Sequence, residues 1–152
     1  MSSKKRNVNV PIIFLDIDWV IVSPYNPETT DHKFNPELVE KLKEIIKATD
    51  AKIVISSSWK YRMDRLIAEW TKHWLEMFID TTRHHYGRPH MKREEEISEW
   101  IQWNEVNNYI VIDDCHRLNL KKFWKLNKLV YTDTRKWLTD FDVDISISLL
   151  NK

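Results

Sequence analysis

Short, almost uniformly apolar runs alternate along the chain with longer stretches in which apolar residues recur every three to four positions. Pro11 to Asp18 (PIIFLDID) is nearly continuously apolar and ends in acids. A run this short and this uniform reads as a strand buried on both faces. Trp19 to Phe34 holds several turn formers and reads as a loop. Asn35-Pro36 predicts a helix start, with Asn as N-cap and Pro at the first helical position. Leu38, Leu42, Ile45 and Ile46 then share one face at helical spacing. Lys52 to Ser57 (KIVISS) predicts a second buried strand. Tyr61 to Phe78 predicts a helix with Met63, Leu66, Ile67, Trp70 and Trp74 at its apolar positions. Thr81 to Lys92 is a polar, basic connector, and Arg93 to Trp103 is a helix carrying Ile97, Trp100 and Ile101. Tyr109 to Asp113 (YIVID) and Lys128 to Thr132 (KLVYT) predict two more strands, and Met77 to Asp80 (MFID) a further short one.

Strands alternating with helices predict an α/β fold: a three-layer, Rossmannoid parallel sheet with helices on both faces. Residues 1–10 read as a loose basic N-terminal tail and residues 11–152 as a single domain. The 152 residues are 42% apolar and 31% charged, an ordinary globular balance. A net charge of +1 gives no global field that would select a nucleic acid or a membrane. No apolar run is long enough to span a bilayer, so no membrane partner is expected. The leading MSSKKRN has no apolar signal core after it, and the single Cys115 excludes an internal disulfide. Together these predict a cytoplasmic protein.

In such sheets ligands bind beyond the carboxyl ends of the strands. After the first apolar run come Asp16 and Asp18, which share a side of an extended chain. After the second come Ser56, Ser57 and Ser58, then Trp59; after the Tyr109 run come Asp113 and Asp114. Four carboxylates gathered at one sheet edge repel one another and are costly to bury without a cation. Oxygen-only ligands of this kind suit a hard cation such as Mg²⁺.

These segments resemble the motifs of haloacid dehalogenase-like (HAD) phosphatases. FLDIDWV at 14–20 is similar to the first motif, IVISSSW at 53–59 to the second, KREEEISEWI at 92–101 to the third and YIVIDDC at 109–115 to the fourth. The closest resemblance is to the small HAD domains of RNA-repair (Swiss Army Knife) proteins, over roughly residues 11 to 150. It implies a Mg²⁺-dependent phosphatase with Asp16 as the nucleophile that forms an aspartyl-phosphate and Asp18 as the acid/base. It further implies Ser57 on the phosphoryl oxygens, with Ser56, Ser58 and Trp59 as substrate contacts. Arg93, or else Lys92, would neutralise phosphate charge. Asp114 and Asp113 would hold the metal with Asp16 and the backbone carbonyl of Asp18. The substrate implied is a phosphorylated one, with RNA or DNA ends as the candidate. The alternatives are a catalytically silent domain that binds phosphorylated ends, and a nucleotidase for free mononucleotides.

HAD enzymes that act on small metabolites resemble one another in carrying a cap domain. Only about seventeen residues separate Trp19 from the next helix, too few for a folded cap, so a capless, open site is expected.

One glycine, Gly87, stands against eight tryptophans, where a glycine content of about 7% would give roughly ten. The resemblance expects glycine where Trp19 and Trp137 stand. A codon that the source reads as glycine would account for both. Three weaker signals point elsewhere. Asp140, Asp142 and Asp144 alternate like a calcium loop but have Ile145 and Asn151 where Gly and Glu are needed, and so predict a solvated helix start. His84, His85 and His90 predict a solvated or phosphate-steering loop. Cys115 reads as a small core filler.

Overall fold

Ile12–Leu15, the middle of the first apolar run, forms strand β1, and all four residues are buried. The computed structural model describes residues 8–23, 33–82, 91–115 and 119–151. The other strands are β2 (Lys52–Ile55), β3 (Asp80–Thr81), β4 (Tyr109–Asp113) and β5 (Leu129–Tyr131). They form a sheet in the order β3-β2-β1-β4-β5, and every pairing is parallel. The helices are α1 (Pro36–Thr49), α2 (Met63–Lys72), α3 (Arg93–Asn104), α4 (Lys121–Lys125) and α5 (Asp140–Leu150), with one 3-10 turn at Ser58–Tyr61.

Alternation along the strands makes two cores. Ile13 and Leu15 pack with Ile53, Ile55, Ile110 and Ile112 beneath α1, α2 and α5. Ile12 and Phe14 pack with Val54 and Val111 beneath α3 and α4, where Ile97, Trp100 and Phe123 close the layer. Successive side chains of a strand point to opposite faces, so continuously apolar strands need cover on both. The three-layer α/β arrangement expected from the sequence is the one observed.

The helix starts follow the sequence signals. Asn35 caps α1 by accepting from the Glu37 N–H, with Pro36 as the first helical residue. Thr139 and Asp142 form a reciprocal capping box at the start of α5. The acids at 140–144 are therefore a helix start, and Asp142 is half of its cap.

Two expectations on boundaries are corrected. The helix expected over Tyr61–Phe78 ends at Lys72, because Trp74 turns left-handed (φ 58°) and stands almost fully exposed. The chain then doubles back, and the Trp70 indole fixes it by donating to the Glu76 carbonyl (2.8 Å). The strand expected at Met77–Asp80 forms instead at Asp80–Thr81. Ahead of β1, the Val8 N–H donates to the Asn104 carbonyl (3.3 Å), and Val8 packs on the second core. The short α4 had no predicted counterpart. His84, His85 and His90 lie outside the described residues.

Candidate active site

The central position of β1 sets the site. Its parallel register aligns Leu15 with Ile112 of β4 and with Ile55 of β2. Residues that follow these strands therefore emerge side by side at one sheet edge. Asp16 follows β1, and its N–H still pairs with the Ile112 carbonyl (3.0 Å). Asp113 ends β4, and Asp114 is next to it. One carboxylate oxygen from each of Asp16, Asp113 and Asp114 lies within 4.8 Å of the others. Asp16 and Asp113 are buried, whereas Asp114 is half-buried.

Arg93, the first residue of α3, faces this cluster. Its Nη1 donates to both oxygens of Asp113 (3.0 and 2.9 Å) and lies 3.4 Å from Asp16 Oδ2. The other oxygen of Asp16 accepts the Ile17 N–H (2.9 Å), and Asp113 accepts the Cys115 N–H (2.8 Å). Burial, reinforced by the charge of Asp113, pushes the Asp16 carboxyl well above the ordinary carboxylate range despite Arg93. Burial raises Asp113 as well, against the pull of Arg93. For Arg93, burial favours loss of the proton, but Asp113 and Asp16 outweigh it and hold the guanidinium charged. Burial also raises the thiol of half-buried Cys115, which argues against a thiolate nucleophile.

Asp18 lies in a tight turn closed by the Trp19 N–H to the Val22 carbonyl (3.0 Å). Its side chain turns toward β2, where Oδ1 accepts the indole N–H of Trp59 (2.9 Å). Asp18 is thus outside the three-acid cluster by its side chain. Ser57 is buried and caps the 3-10 turn by accepting the Trp59 N–H. Ser56 is buried, and its hydroxyl has no hydrogen-bond partner among the described residues. Ser58 is exposed. Lys92 is also exposed and only precedes α3, so Arg93 is the cation that reaches the acids.

Lys60 was not singled out in the sequence, although it directly follows Trp59. It is 3% exposed and pairs with Glu96 (2.9 Å) and Thr82 (3.2 Å). Glu96 lies three residues after Arg93, so this pair ties the first turn of α3 to the end of β2. Trp100 Nε1 ties α3 to Asp80 of β3 (2.8 Å) in the same way. The signal that could have exposed Lys60 was its place beside a buried motif tryptophan.

The acids fit a divalent cation. Among the described residues, three clustered carboxylates face a single guanidinium, which leaves net negative charge in a buried place, and all the donors are oxygens. Among the described residues no helix is long and apolar enough to cross a membrane.

A family model described as the HAD domain in Swiss Army Knife RNA repair proteins matches residues 12–143. The match runs from β1 into α5 and takes in every residue of the site. No curated protein and no solved structure matches the chain.

Proposed function

The chain belongs to the family of HAD domains found in Swiss Army Knife RNA repair proteins, and on that premise we propose that it is a Mg²⁺-dependent phosphomonoesterase acting on a phosphorylated nucleic-acid end. The observation that carries the proposal is the buried Asp16 carboxylate, flanked by Asp113, Asp114 and the Arg93 guanidinium at the carboxyl end of the central strand.

Asp16 Oδ2 attacks phosphorus, and the bond from phosphorus to the ester oxygen breaks. Asp18 gives its proton to the departing oxygen. The acyl-phosphate on Asp16 is then attacked by water, whose proton returns to Asp18, and phosphate leaves with Asp16 regenerated. Covalent capture divides one difficult displacement into two easier ones. Arg93 offsets the repulsion between an anionic nucleophile and an anionic phosphate. Ser57 accepts a hydrogen bond in its cap, so its hydroxyl proton remains able to donate to a phosphoryl oxygen; the unpartnered Ser56 hydroxyl is a second donor. Asp16, Asp113, Asp114 and the Asp18 carbonyl would hold Mg²⁺, which when bound stabilises charge on the transferring group. The Trp59 indole N–H keeps Asp18 oriented.

The test is phosphate release, in Mg²⁺, from p-nitrophenyl phosphate and from a 3′-phosphorylated oligonucleotide. Turnover of either that disappears in Asp16→Asn supports the proposal. No turnover by the wild-type protein on either substrate favours a domain that only binds phosphorylated ends.

A further inference from the structure

Beside the acids lies a cavity of about 170 Å³ lined by Asp18, Ser58, Trp59, Arg62 and Arg65. Asp18, two residues after the proposed nucleophile, forms part of its wall. Arg62 is the N-cap of α2 and Arg65 lies in its first turn, and both line the cavity. The Arg65 guanidinium lies 5.1 Å from the Trp59 ring centroid, while Phe34 packs against the same indole at 5.4 Å. Trp59 is therefore held between a core aromatic and a cation, with its N–H on Asp18.

Helix stability does not account for two arginines at this end of α2. The N-terminal end of a helix carries partial positive charge, which disfavours cations there. Asp18 is read above as the acid that protonates the leaving oxygen, so whatever that oxygen is attached to must extend past Asp18. This cavity is a space that Asp18 itself lines.

We propose that the cavity receives the leaving-group half of the substrate, and that Arg62 and Arg65 bind an anion carried on it. The ligand is the phosphodiester next to the scissile phosphate in a nucleic-acid strand. The inference rests on the assignment of Asp18 and deepens the proposed function: it names why a strand end is preferred over a mononucleotide. A nucleoside bisphosphate presents the same chemistry, a second phosphate, from a free metabolite.

Binding separates the inference from the question of turnover. Asp16→Asn in Mg²⁺ is titrated calorimetrically with four probes. These are a 3′-phosphorylated dinucleotide, the same dinucleotide with a neutral methylphosphonate linkage, the 3′-mononucleotide and the 3′,5′-bisphosphate. The expected result is about tenfold tighter binding of the charged dinucleotide than of the neutral one or the mononucleotide, a preference that shrinks with salt. Adding Arg62→Gln and Arg65→Gln should erase that preference, whereas adding Lys125→Gln, on distant α4, should keep it. Tighter binding of the bisphosphate than of the dinucleotide would move the anion source to a free nucleotide and overturn the strand-end assignment. Equal binding of charged and neutral dinucleotides would overturn the inference even if phosphatase activity is found. No turnover by the wild-type protein, with the preference intact in Asp16→Asn, would overturn the phosphatase reading instead.

A second observation stands independently. Among the described residues, six other than glycine have positive φ: Asp50, Glu105, Asn127, Trp19, Trp74 and Trp137. The three polar ones are of ordinary kind for helix ends. The three tryptophans have φ of 63°, 58° and 58°, a region where the Cβ is crowded and glycine is favoured. Trp74 stands just past the end of α2, the position at which glycine most often ends a helix. The tryptophans also sort by contact. Trp59, Trp70 and Trp100 are buried and donate their indole N–H to Asp18, Glu76 and Asp80. Trp74 is 89% exposed, and Trp137 Nε1 is buried with no partner among the described residues. We infer that positions 19, 74 and 137 are glycine in the protein as its own cell makes it, through a UGA codon read there as glycine. Codon sequencing tests this, together with peptide mass spectrometry of the protein from its source. UGA at all three, with UGG at 59, 70 and 100, is expected. UGG at any of the three, or UGA at any of the buried set, overturns it.

Discussion

The indole N–H of Trp59 reaches back 41 residues to Asp18, with Nε1 2.9 Å from Oδ1. The contact joins the turn after β1 to the 3-10 turn after β2 and fixes one oxygen of the proposed acid/base. Its other oxygen is left to carry the proton. Replacing Trp59 by Phe keeps most of the packing against Phe34 and removes the donor. With Asp18 protonated for the leaving-group step this contact is a hydrogen bond between neutral groups, contributing up to about 1.5 kcal/mol, which corresponds to roughly tenfold in rate. Trp59→Phe should therefore lower kcat by about tenfold on alkyl phosphates. The loss should be smaller on p-nitrophenyl phosphate, whose leaving group needs no proton. Equal losses on both substrates would mean that Trp59 acts on binding and not through Asp18.

Lys60 and Glu96 form a pair in which the side chains are only 3% and 13% exposed. Removing one partner leaves a buried charge uncompensated, at a cost of about 3–5 kcal/mol. Glu96→Gln should lose stability of that order in urea denaturation, whereas Lys60→Met with Glu96→Leu should recover most of it. Because Glu96 follows Arg93 by less than one helical turn, both variants should also weaken phosphate binding. A Glu96→Gln protein as stable as wild type would show the pair to be incidental.

Strand positions were legible because buried parallel strands leave short, uniform apolar runs: Tyr109–Asp113 was expected and found with the same bounds, whereas the strand expected at Met77–Asp80 is found at Asp80–Thr81. The acids were legible because each ends or follows such a run, and Arg93 because it opens a helix after a polar connector. What remained hidden depended on conformation and distance. Tyr61 to Phe78 keeps helical periodicity throughout, and only the left-handed turn at Trp74, a residue that does not announce one, stops the helix at Lys72. The five-residue α4 is too short to show a period. The Lys60–Glu96 pair joins residues 36 apart, which no local pattern reveals.

Trp74 gives a stability test of backbone conformation. A non-glycine residue in the left-handed region costs roughly 1–2 kcal/mol, and the exposed Trp74 ring offers little packing in return. Trp74→Gly should stabilise the protein by about 1 kcal/mol, or roughly 2–4 °C in Tm at this size. Trp74→Ala, which keeps the Cβ, should not. An equal gain in both variants would attribute the effect to the ring and not to φ.

The buried acids make metal-free stability fall as pH rises. Asp16 has a folded-state pKa well above its unfolded value, chiefly through burial and then through Asp113. The folded protein then binds this proton more tightly than the unfolded chain does. The penalty for ionised Asp16 is absent below the unfolded pKa, grows as pH climbs from there to the raised folded pKa, and is constant above it. In EDTA, Asp16→Asn should be more stable than wild type at pH 7, and the difference should close as pH falls toward about 4. A constant difference across that range would place the effect in packing.

Metal binding should release a proton and depend on Asp114. Arg93 engages both oxygens of Asp113 and approaches Asp16, so the guanidinium serves two of the three acids. Asp114 instead lies beside Asp16 in the cluster and is one of the causes that raise the Asp16 carboxyl, after burial and Asp113. A carboxyl raised in this way keeps its proton to higher pH than a free one. Mg²⁺ takes ionised oxygens, so its binding must displace that proton. Calorimetric titration of the wild-type protein with Mg²⁺, in buffers of different ionisation enthalpy, should therefore report proton release that diminishes as pH rises. A ligand that binds only the folded state at one hundred times its Kd stabilises it by about 2.7 kcal/mol, so Tm should climb with Mg²⁺ concentration. Asp114→Ala should lose most of the proton release and of the Tm rise. It should also lower activity by orders of magnitude at limiting Mg²⁺. Its metal-free Tm should match or exceed that of wild type, because one of three crowded acids is gone. Wild-type protein whose Tm does not respond to Mg²⁺, or an Asp114→Ala variant that responds as wild type does, would remove these acids from metal binding and leave Arg93 as their sole counter-charge in the cluster.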